Sequence, residues 1–267
     1  MFLLLSLLCH ITAAQNAYVG FDRNEYPGDA NLPILRNTFS YAGFWLNNPP
    51  GARTNSWRGK RNTVQAAGFG FLVLFNGRTY SEIKRAGNAN ALGHSDGLAA
   101  INAAKKEGFP ARTLIFLDQE EGGRMLPEQR AYLLAWIDTV AAGGFRAGVY
   151  CSGIAASEER GVTVITAEDI RANAAGRKLA YWVANDVCPP SPGCRVPGKA
   201  PAPSASGVAF ADVWQYAQSP KRPQFAAGCR NYSPDRNCYP PGIAPSTGLH
   251  VDINTAISTD PSGGRTP

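Results

Sequence analysis

The chain has 267 residues, of which 44% are hydrophobic and 17% are charged, and its net charge is +6. This composition supplies enough apolar side chains for one large packed domain. The Lys and Arg residues are scattered, with no basic run and no nucleic-acid motif, which disfavours nucleic acid and favours an anionic polymer such as cell wall as the partner.

The first fourteen residues predict a secretory signal peptide. Residues 1–8 are mostly apolar, although no Lys or Arg precedes them, and Thr12-Ala13-Ala14 before Gln15 resembles a cleavage site. The apolar run is too short to span a membrane, and Leu7-Leu8 ahead of Cys9 does not fit a lipoprotein anchor. We therefore expect a protein secreted to the extracellular space or periplasm, without stable membrane insertion.

Eight short apolar segments follow in chain order and predict β-strands. They are residues 18–22, 41–46, 70–75, 114–118, 146–151, 179–184, 208–216 and 249–254. Helical patterns lie between them at residues 32–39, 57–67, 95–107, 128–142 and 166–174, with Ser95 as the predicted cap of the third. Alternating strands and helices indicate parallel βαβ units, and eight strands in one unit of this size indicate a single TIM-like (β/α) barrel.

The last third of the chain is irregular. Residues 188–207 and 218–248 contain many prolines and no helical pattern, so long loops replace two of the outer helices. Loops that follow barrel strands lie on the face where active sites form. The fold class is thus α/β, an irregular barrel over residues 15–257, with a disordered tail at residues 258–267.

The long late loops contain four cysteines, a pattern typical of disulfides in an oxidising compartment. Pairing Cys188 with Cys194 and Cys229 with Cys238 would close two short loops, while cross-pairing between the two loops remains open. Cys151 lies inside a predicted strand, and we expect it to be buried and unpaired.

The fourth predicted strand ends in acids. Asp118 is the last residue of the apolar segment, and Glu120 follows two positions later. Side chains alternate along a strand, so both carboxyl groups project to one side, with their Cα atoms roughly 6.6 Å apart. Two neighbouring carboxylates resist both being ionised, and a partly desolvated one holds a proton near neutral pH, as the protonation of a glycosidic oxygen requires.

Other strand ends carry polar and aromatic residues, and in a barrel these ends meet at one mouth. Each residue alone is as well explained by the core or by a helix cap, but the set predicts a sugar-binding cleft. Asp22 and Asp252 join the candidate catalytic residues. The candidate binding residues are Trp45, Asn76, Asn185, Trp214, Gln215, Tyr216 and Asn254, with Asp186 beside them.

Four motifs occur in a fixed order: Gly20-Phe-Asp22, Leu117-Asp-Gln-Glu120, Trp214-Gln-Tyr216 and Val251-Asp-Ile-Asn254. Over nearly the whole mature chain this order resembles glycoside hydrolase family 25, the Chalaropsis-type lysozymes. It is more similar still to a bacterial glycoside-hydrolase-like domain of unknown function (family 1906).

The resemblance implies a general acid at Glu120 and, at Asp118, a partner that acts through the N-acetyl group of the substrate. It further implies that Asp22 and Asp252 orient the site or bind sugar. Gln119, Glu121 and the late loops differ from the lysozyme pattern.

Two functions are compatible with these observations. One is a secreted hydrolase of β-linked amino-sugar polymers, with peptidoglycan favoured; the other is a barrel that binds cell-wall glycan without cleaving it. In either case we expect a monomer. After the signal only His94 and His250 remain, and there is no zinc spacing, phosphate loop or dinucleotide fingerprint, so we expect no metal and no cofactor. A dyad of Cys151 and His250 is disfavoured, because a buried strand cysteine is the simpler identity.

Overall fold

The structure, a computed structural model, describes residues 16–266, so the predicted signal peptide lies outside the described part of the chain. Eight of its ten strands form a closed barrel in the order β1-β10-β9-β8-β5-β4-β3-β2, and β6 and β7 form a separate hairpin. The strands are β1 (Tyr18–Asp22), β2 (Tyr41–Trp45), β3 (Gly70–Asn76), β4 (Leu114–Asp118), β5 (Arg146–Ser152), β6 (Ala155–Ser157), β7 (Thr163–Ile165), β8 (Ala180–Ala184), β9 (Val213–Ala217) and β10 (Asp252–Ala256).

In the described part of the chain, six α-helices cover the outside of the barrel. They are α1 (Leu32–Arg36), α2 (Arg61–Ala66), α3 (Tyr80–Ala86), α4 (Ala89–Glu107), α5 (Pro127–Ala142) and α6 (Thr166–Ala172). The predicted cap at Ser95 is wrong: α4 begins at Ala89, and the Asn88 side chain accepts a hydrogen bond from the Ala91 N–H at 3.0 Å. Within residues 16–266, no helix is long and apolar enough to cross a membrane.

The core lies inside the barrel and between the barrel and its helices. Strands β2 and β4 are buried along their whole length, as expected for strands covered on both faces. Helices α4 and α5 pack closely because α4 presents glycines to α5. A Cβ at Gly93 would lie 2.2 Å from the Tyr132 carbonyl oxygen, and one at Gly97 would lie 2.7 Å from the Thr139 Cβ.

The eight-strand α/β barrel is confirmed, but it is not parallel throughout. Strand β10 runs antiparallel to both of its neighbours, β9 and β1, whereas the other adjacent pairs are parallel. The chain leaves β9 at the mouth and has no helix to carry it to the other end, so β10 starts from the mouth. Asp252 therefore begins its strand, and it lies opposite Asp22 in the register.

The disulfides connect the two late loops to each other. Cys188 pairs with Cys229 and Cys194 pairs with Cys238, so the short-loop pairing is wrong and the cross-pairing is observed. Cys151 is free and buried in β5. The two bridges join segments 41 and 44 residues apart and hold together a stretch that lacks α-helices.

The expectation of a disordered tail is wrong for residues 258–266. Ser262 is fully buried: its N–H donates to the Phe71 carbonyl, and its own carbonyl accepts from the Leu114 N–H at 2.8 Å. The Val73 N–H donates to the Ser262 hydroxyl oxygen at 2.8 Å. These backbone partners lie in β3 and at the start of β4, so the tail packs against the barrel.

Candidate active site

Four acids from three strands and one loop meet at the mouth of the barrel. Asp22, Asp118 and Asp252 belong to β1, β4 and β10, and we call them the acid floor. Asp22 and Asp118 are each 5% exposed. Glu120, two residues beyond the end of β4, is exposed at the rim. The antiparallel β10 contributes to the floor because it starts, rather than ends, at the mouth.

Asp22 is held by two amide side chains. Asn254 Nδ2 and Gln215 Nε2 both donate to Asp22 Oδ1, at 2.7 and 3.0 Å. The Trp182 indole N–H donates to Asn254 Oδ1 at 2.9 Å, which fixes the orientation of that amide. The Tyr150 hydroxyl does the same for Gln215 Oε1 at 2.7 Å. Burial raises the pKa of Asp22 to about 6, and the two amide hydrogen bonds oppose that rise.

Asp118 has fewer hydrogen-bond donors around its carboxyl group than Asp22. Its Oδ1 is buried and has no hydrogen-bond partner among residues 16–266. Burial, followed by the charges of Glu120 and Asp22, raises the pKa of Asp118 well above its ordinary value. A carboxyl group in this position favours the protonated state, or a ligand that supplies the missing donor.

Asp252 completes the acid floor and connects it to the late loops. Its Oδ1 accepts from the Ser219 N–H at 2.5 Å, and its Oδ2 lies 3.4 Å from Gln215 Nε2. Burial and then the charge of Asp22 raise the pKa of Asp252 well above its ordinary value, while the Ser219 hydrogen bond opposes this. Gln215 therefore bridges two of the three acids.

Glu120 lies where two cavities of the mouth meet. The larger has a volume of about 640 Å³ and extends towards Asn76, Arg58 and Arg78. The smaller, of about 250 Å³, is enclosed by Glu120 together with Gly122, Tyr150, Ser152, Ala184, Gln218 and Arg222. Although the Glu120 side chain is exposed, the surrounding loops partly desolvate its carboxyl group, and this raises its pKa. An acid placed between two cavities can act on a bond that joins their occupants.

The neighbouring Glu121 fixes the loop that carries Glu120. Glu121 Oε2 accepts from the Tyr80 N–H at 2.8 Å and from Gln129 Nε2 at 2.6 Å. These bonds tie the loop after β4 to the first residue of α3 and to the first turn of α5. Glu121, which differs from the lysozyme pattern, thus has a structural role here.

Several of the predicted binding residues are core residues. Trp45 and Trp214 are 3% and 1% exposed, and their indole N–H groups donate to the carbonyls of Arg23 and Asn185. Neither ring offers a free face on which a sugar could stack. Tyr216 is also fully buried. These three aromatic residues belong to the core of the barrel and do not line the cavities of the mouth.

The predicted amides have different positions. Asn76 lines the larger cavity, where its side chain donates to the Asn48 carbonyl at 2.9 Å. Asn185 is buried and donates to the Ser206 carbonyl at 2.7 Å, so it supports a loop. Gln215 and Asn254 hold the acid floor. Only Asn76 among them lines a cavity of the mouth.

Sequence reasoning missed Tyr150, Gln218 and Arg222, which line the smaller cavity. Tyr150 lies near the end of a predicted strand, and its position alone could have added it to the strand-end set. Gln218 and Arg222 lie in an irregular loop, whose course depends on the disulfides and not on a local pattern.

Comparisons with known proteins give one family. A family model described as "Rv2525c-like, glycoside hydrolase-like domain" matches residues 36–189. No curated protein matches the chain significantly.

Solved structures share the fold. An uncharacterised protein of B. stearothermophilus is 21% identical with a TM-score of 0.55, covering 89% of this chain and 94% of its own. The Tat-secreted protein Rv2525c of Mycobacterium tuberculosis, solved in complex with HEPES, is 14% identical with a TM-score of 0.52, covering 94% and 98%. The spore cortex lytic enzyme SleM of Clostridium perfringens is 14% identical with a TM-score of 0.52, covering 91% and 68%.

Proposed function

Because the chain belongs to the Rv2525c-like family of glycoside-hydrolase-like domains, we propose that it hydrolyses β-linked amino-sugar polymers, with peptidoglycan as the favoured substrate. The observation that carries this proposal is the position of Glu120 between two cavities and beside a floor of three acids. The fold shared with a spore cortex lytic enzyme is consistent with this substrate class.

In the proposed reaction Glu120 donates a proton to the glycosidic oxygen. Burial raises its pKa, so that a proton is available nearer to neutral pH than for a free carboxyl. Sugars bound in the two cavities would place the bond between them next to this acid. The leaving sugar departs as positive charge develops on the ring that remains.

Asp118 is the proposed partner of Glu120. Its unpaired Oδ1 can accept a hydrogen bond from the N–H of an N-acetyl group, which would orient the acetyl oxygen for attack on the anomeric carbon as the glycosidic bond breaks. Water would then displace the acetyl oxygen from that carbon, and the Glu120 carboxylate, having given up its proton, would accept a proton from this water. Asp22 and Asp252 are positioning residues: the hydrogen bonds of Gln215 connect them, and the charge of Asp22 raises the pKa of both Asp118 and Asp252.

We propose that the protein acts outside the cytoplasm. Two disulfides in the late loops support folding in an oxidising compartment. The fold relative Rv2525c is described as Tat-secreted. The predicted signal at residues 1–14 is consistent with export, and secretion can be tested by detecting the processed chain in culture medium or periplasm.

The test compares Glu120→Gln with a matched control, Glu168→Gln, which changes an exposed glutamate of α6. Glu120→Gln should reduce the release of reducing ends from purified peptidoglycan about 10²–10⁴-fold. The control should retain the wild-type rate, and both variants should unfold at the wild-type temperature. Wild-type activity in Glu120→Gln would overturn the assignment of the acid.

A glycan-binding barrel without turnover is the second candidate. One observation favours it: the Glu120 carboxyl has no hydrogen-bond partner within residues 16–266 that would hold it towards a substrate. Sedimentation with purified walls, run beside a turbidity assay, separates the two candidates. Binding without clearing would support the binding barrel, and clearing would support the hydrolase.

A further inference from the structure

A cluster of charged residues outside the acid floor borders the smaller cavity. Asp186 follows β8 and is 2% exposed. Lys221 Nζ, also buried, donates to the Asp186 carbonyl at 2.6 Å and lies 3.7 Å from Asp186 Oδ2. Arg222 Nη2 donates to Asp186 Oδ1 at 2.8 Å. The cluster therefore contains two cations and one carboxylate.

Of the two cations in this cluster, Arg222 is the one that lines the cavity. The Lys221 side chain is 1% exposed and is enclosed with Asp186, whereas the Arg222 side chain is 43% exposed and lines the cavity. The guanidinium carbon lies 4.5 Å from the centre of the Phe225 ring. Stacking on that ring and the bond to Asp186 fix the guanidinium in place, so a ligand would not have to order it.

We propose that the smaller cavity binds a sugar residue that carries a carboxylate, and that Arg222 pairs with this carboxylate. The inference rests on the proposed function, because it specifies which glycan the same cleft accepts. Arg222 retains N–H groups that Asp186 does not use, and arginine recognises carboxylates through two parallel hydrogen bonds. Gln218, Tyr150 and Ser152 offer further polar contacts to the ring hydroxyls.

The charge balance of the cavity favours an acidic over a neutral sugar. Asp186 pairs with both Arg222 and Lys221, so this cluster of two cations and one carboxylate has one positive charge in excess. Glu120, on the cavity lining with Arg222, is the proposed proton donor, and in its protonated form it does not compete for the guanidinium. A neutral sugar would leave this excess positive charge without a second anion.

The carboxylate could come from two sources, and the test includes both. One is the lactyl ether of a peptide-free muramyl residue, and the other is the ring carboxylate of a uronic acid. The probes are a neutral chito-tetraose, a peptide-free muramyl-containing tetrasaccharide and a tetrasaccharide of alternating N-acetylglucosamine and glucuronate. Kd values are measured by calorimetry with the full chain carrying Glu120→Gln, so that no probe is cleaved.

The Kd for chito-tetraose divided by the Kd for an acidic probe is the ratio to be measured, and it should be about ten for at least one acidic probe. Arg222→Gln should bring this ratio to about one. Arg222→Lys, which keeps the charge but not the paired donors, should give an intermediate ratio. Arg230→Gln, which changes an exposed arginine of the same loop outside the cavity, should keep the full ratio. The source of the carboxylate is the probe with the larger ratio.

An unchanged ratio in Arg222→Gln, or equal Kd values for all three probes, would overturn the inference. If Arg222→Gln does not fold, Arg222→Lys and the fall of the ratio with added salt decide the question. Cleavage of peptidoglycan by the chain with Glu120 intact is measured separately. Cleavage without acidic preference rejects this inference alone, and preference without cleavage rejects the hydrolase alone.

Discussion

The two sides of the cleft are built in different ways. The regular region, residues 18–152, places Asp22, Asp118 and Glu120 through parallel strands whose core residues are almost all buried. The late region, residues 185–251, contains a single barrel strand and otherwise loops, which two disulfides hold together. Burial of apolar surface thus fixes the acids, and covalent and ionic links fix the opposite wall with Arg222.

The contrast implies that the opposite wall can loosen while Asp118 and Glu120 stay in place. Asp22 and Asp252, by comparison, depend in part on Gln215 and Ser219 of the late region. A cleft of this kind separates chemistry from recognition: the strand ends supply proton transfer, and the late loops select what is bound. Substitutions confined to one region therefore show whether the other region responds.

The largest effect is expected from the disulfides. Replacing Cys194 and Cys238 by Ser should lower the free energy of unfolding by about 4 kcal/mol, because the bridge closes 44 residues. The other bridge closes 41 residues of an overlapping loop, so removing both should cost less than twice as much. Urea unfolding measures both values.

Hydrogen exchange on the variant lacking Cys194 and Cys238 compares the protection of amides in the late region with that in the regular region. Amides of residues 186–238 should lose protection, whereas those of α4 and α5 should keep it. Acidic-glycan binding through Arg222 should weaken in parallel. A uniform loss of protection over both regions would show that the late loops and the sheet form one cooperative unit.

The regular region could be predicted well from the sequence, because its signals are local. The apolar segments that predicted β1–β5 lie within one or two residues of the observed strands, and α5 begins one residue earlier than expected. The end of the fourth apolar segment placed Asp118 at a strand end for the same reason. Helix α3 was missed, although Thr79 and Glu82 form a capping box at its start.

The late region could not be predicted because its structure depends on distant partners. The pairing of Cys188 with Cys229 and the reversed direction of β10 both follow from a chain path that no local pattern encodes. The same holds for Arg222, whose place in the cavity depends on Asp186, 36 residues away. Asp252 was correctly predicted at the mouth, but for the wrong reason, since it begins its strand.

The acid floor should make the stability of the protein depend on pH. The pKa of Asp22 rises from 3.8 to about 6 on folding, so the folded state holds this proton more tightly than the unfolded state. Its contribution to stability is fully present below about pH 4 and is lost as the pH rises through 6. At about 1.4 kcal/mol per pKa unit, the wild type should lose about 3 kcal/mol more unfolding free energy than Asp22→Asn as the pH rises from about 4 to above 6.

Asp29→Asn is the matched control for this pH dependence. Hydrogen bonds from Lys60 and Tyr26 lower the pKa of Asp29, so its contribution to stability is present at neutral pH and lost as the pH falls below about 4. Chemical unfolding of the wild type and both variants from pH 3 to 8 gives, for each protein, the slope of the unfolding free energy against pH. Equal slopes for the wild type and Asp22→Asn above pH 4 would mean that Asp22 is not desolvated.

A smaller effect is expected from Gly43→Ala in β2. The added Cβ would lie 2.4 Å from the Asp22 Cβ and 3.0 Å from its Cα, so Asp22 or the strand must move. We expect a loss of about 2 kcal/mol in stability and a lower rate on peptidoglycan. Gly198→Ala, where no atom lies within 4 Å of the new Cβ, should change the stability by less than about 1 kcal/mol. Equal costs at the two sites would contradict the view that the sheet is rigid and the late loops yield.

The smallest effect should come from Ser262→Ala in the tail, which tests whether the regular region extends beyond its own strands. The change leaves the buried Val73 N–H without its acceptor. We expect the free energy of unfolding to fall by about 1 kcal/mol. This is the low end for an unsatisfied buried donor, because the tail is short and can shift towards a new partner.

Ser204→Ala, at an exposed serine of the late region, is the control and should unfold as the wild type does in urea. Because the Val73 amide lies in the middle of β3, its hydrogen exchange should accelerate in Ser262→Ala and not in the control. If the amide keeps its wild-type protection, the Ser262 hydroxyl contributes nothing to the sheet, and the tail is held there by its other hydrogen bonds, among them the backbone bonds to Phe71 and Leu114.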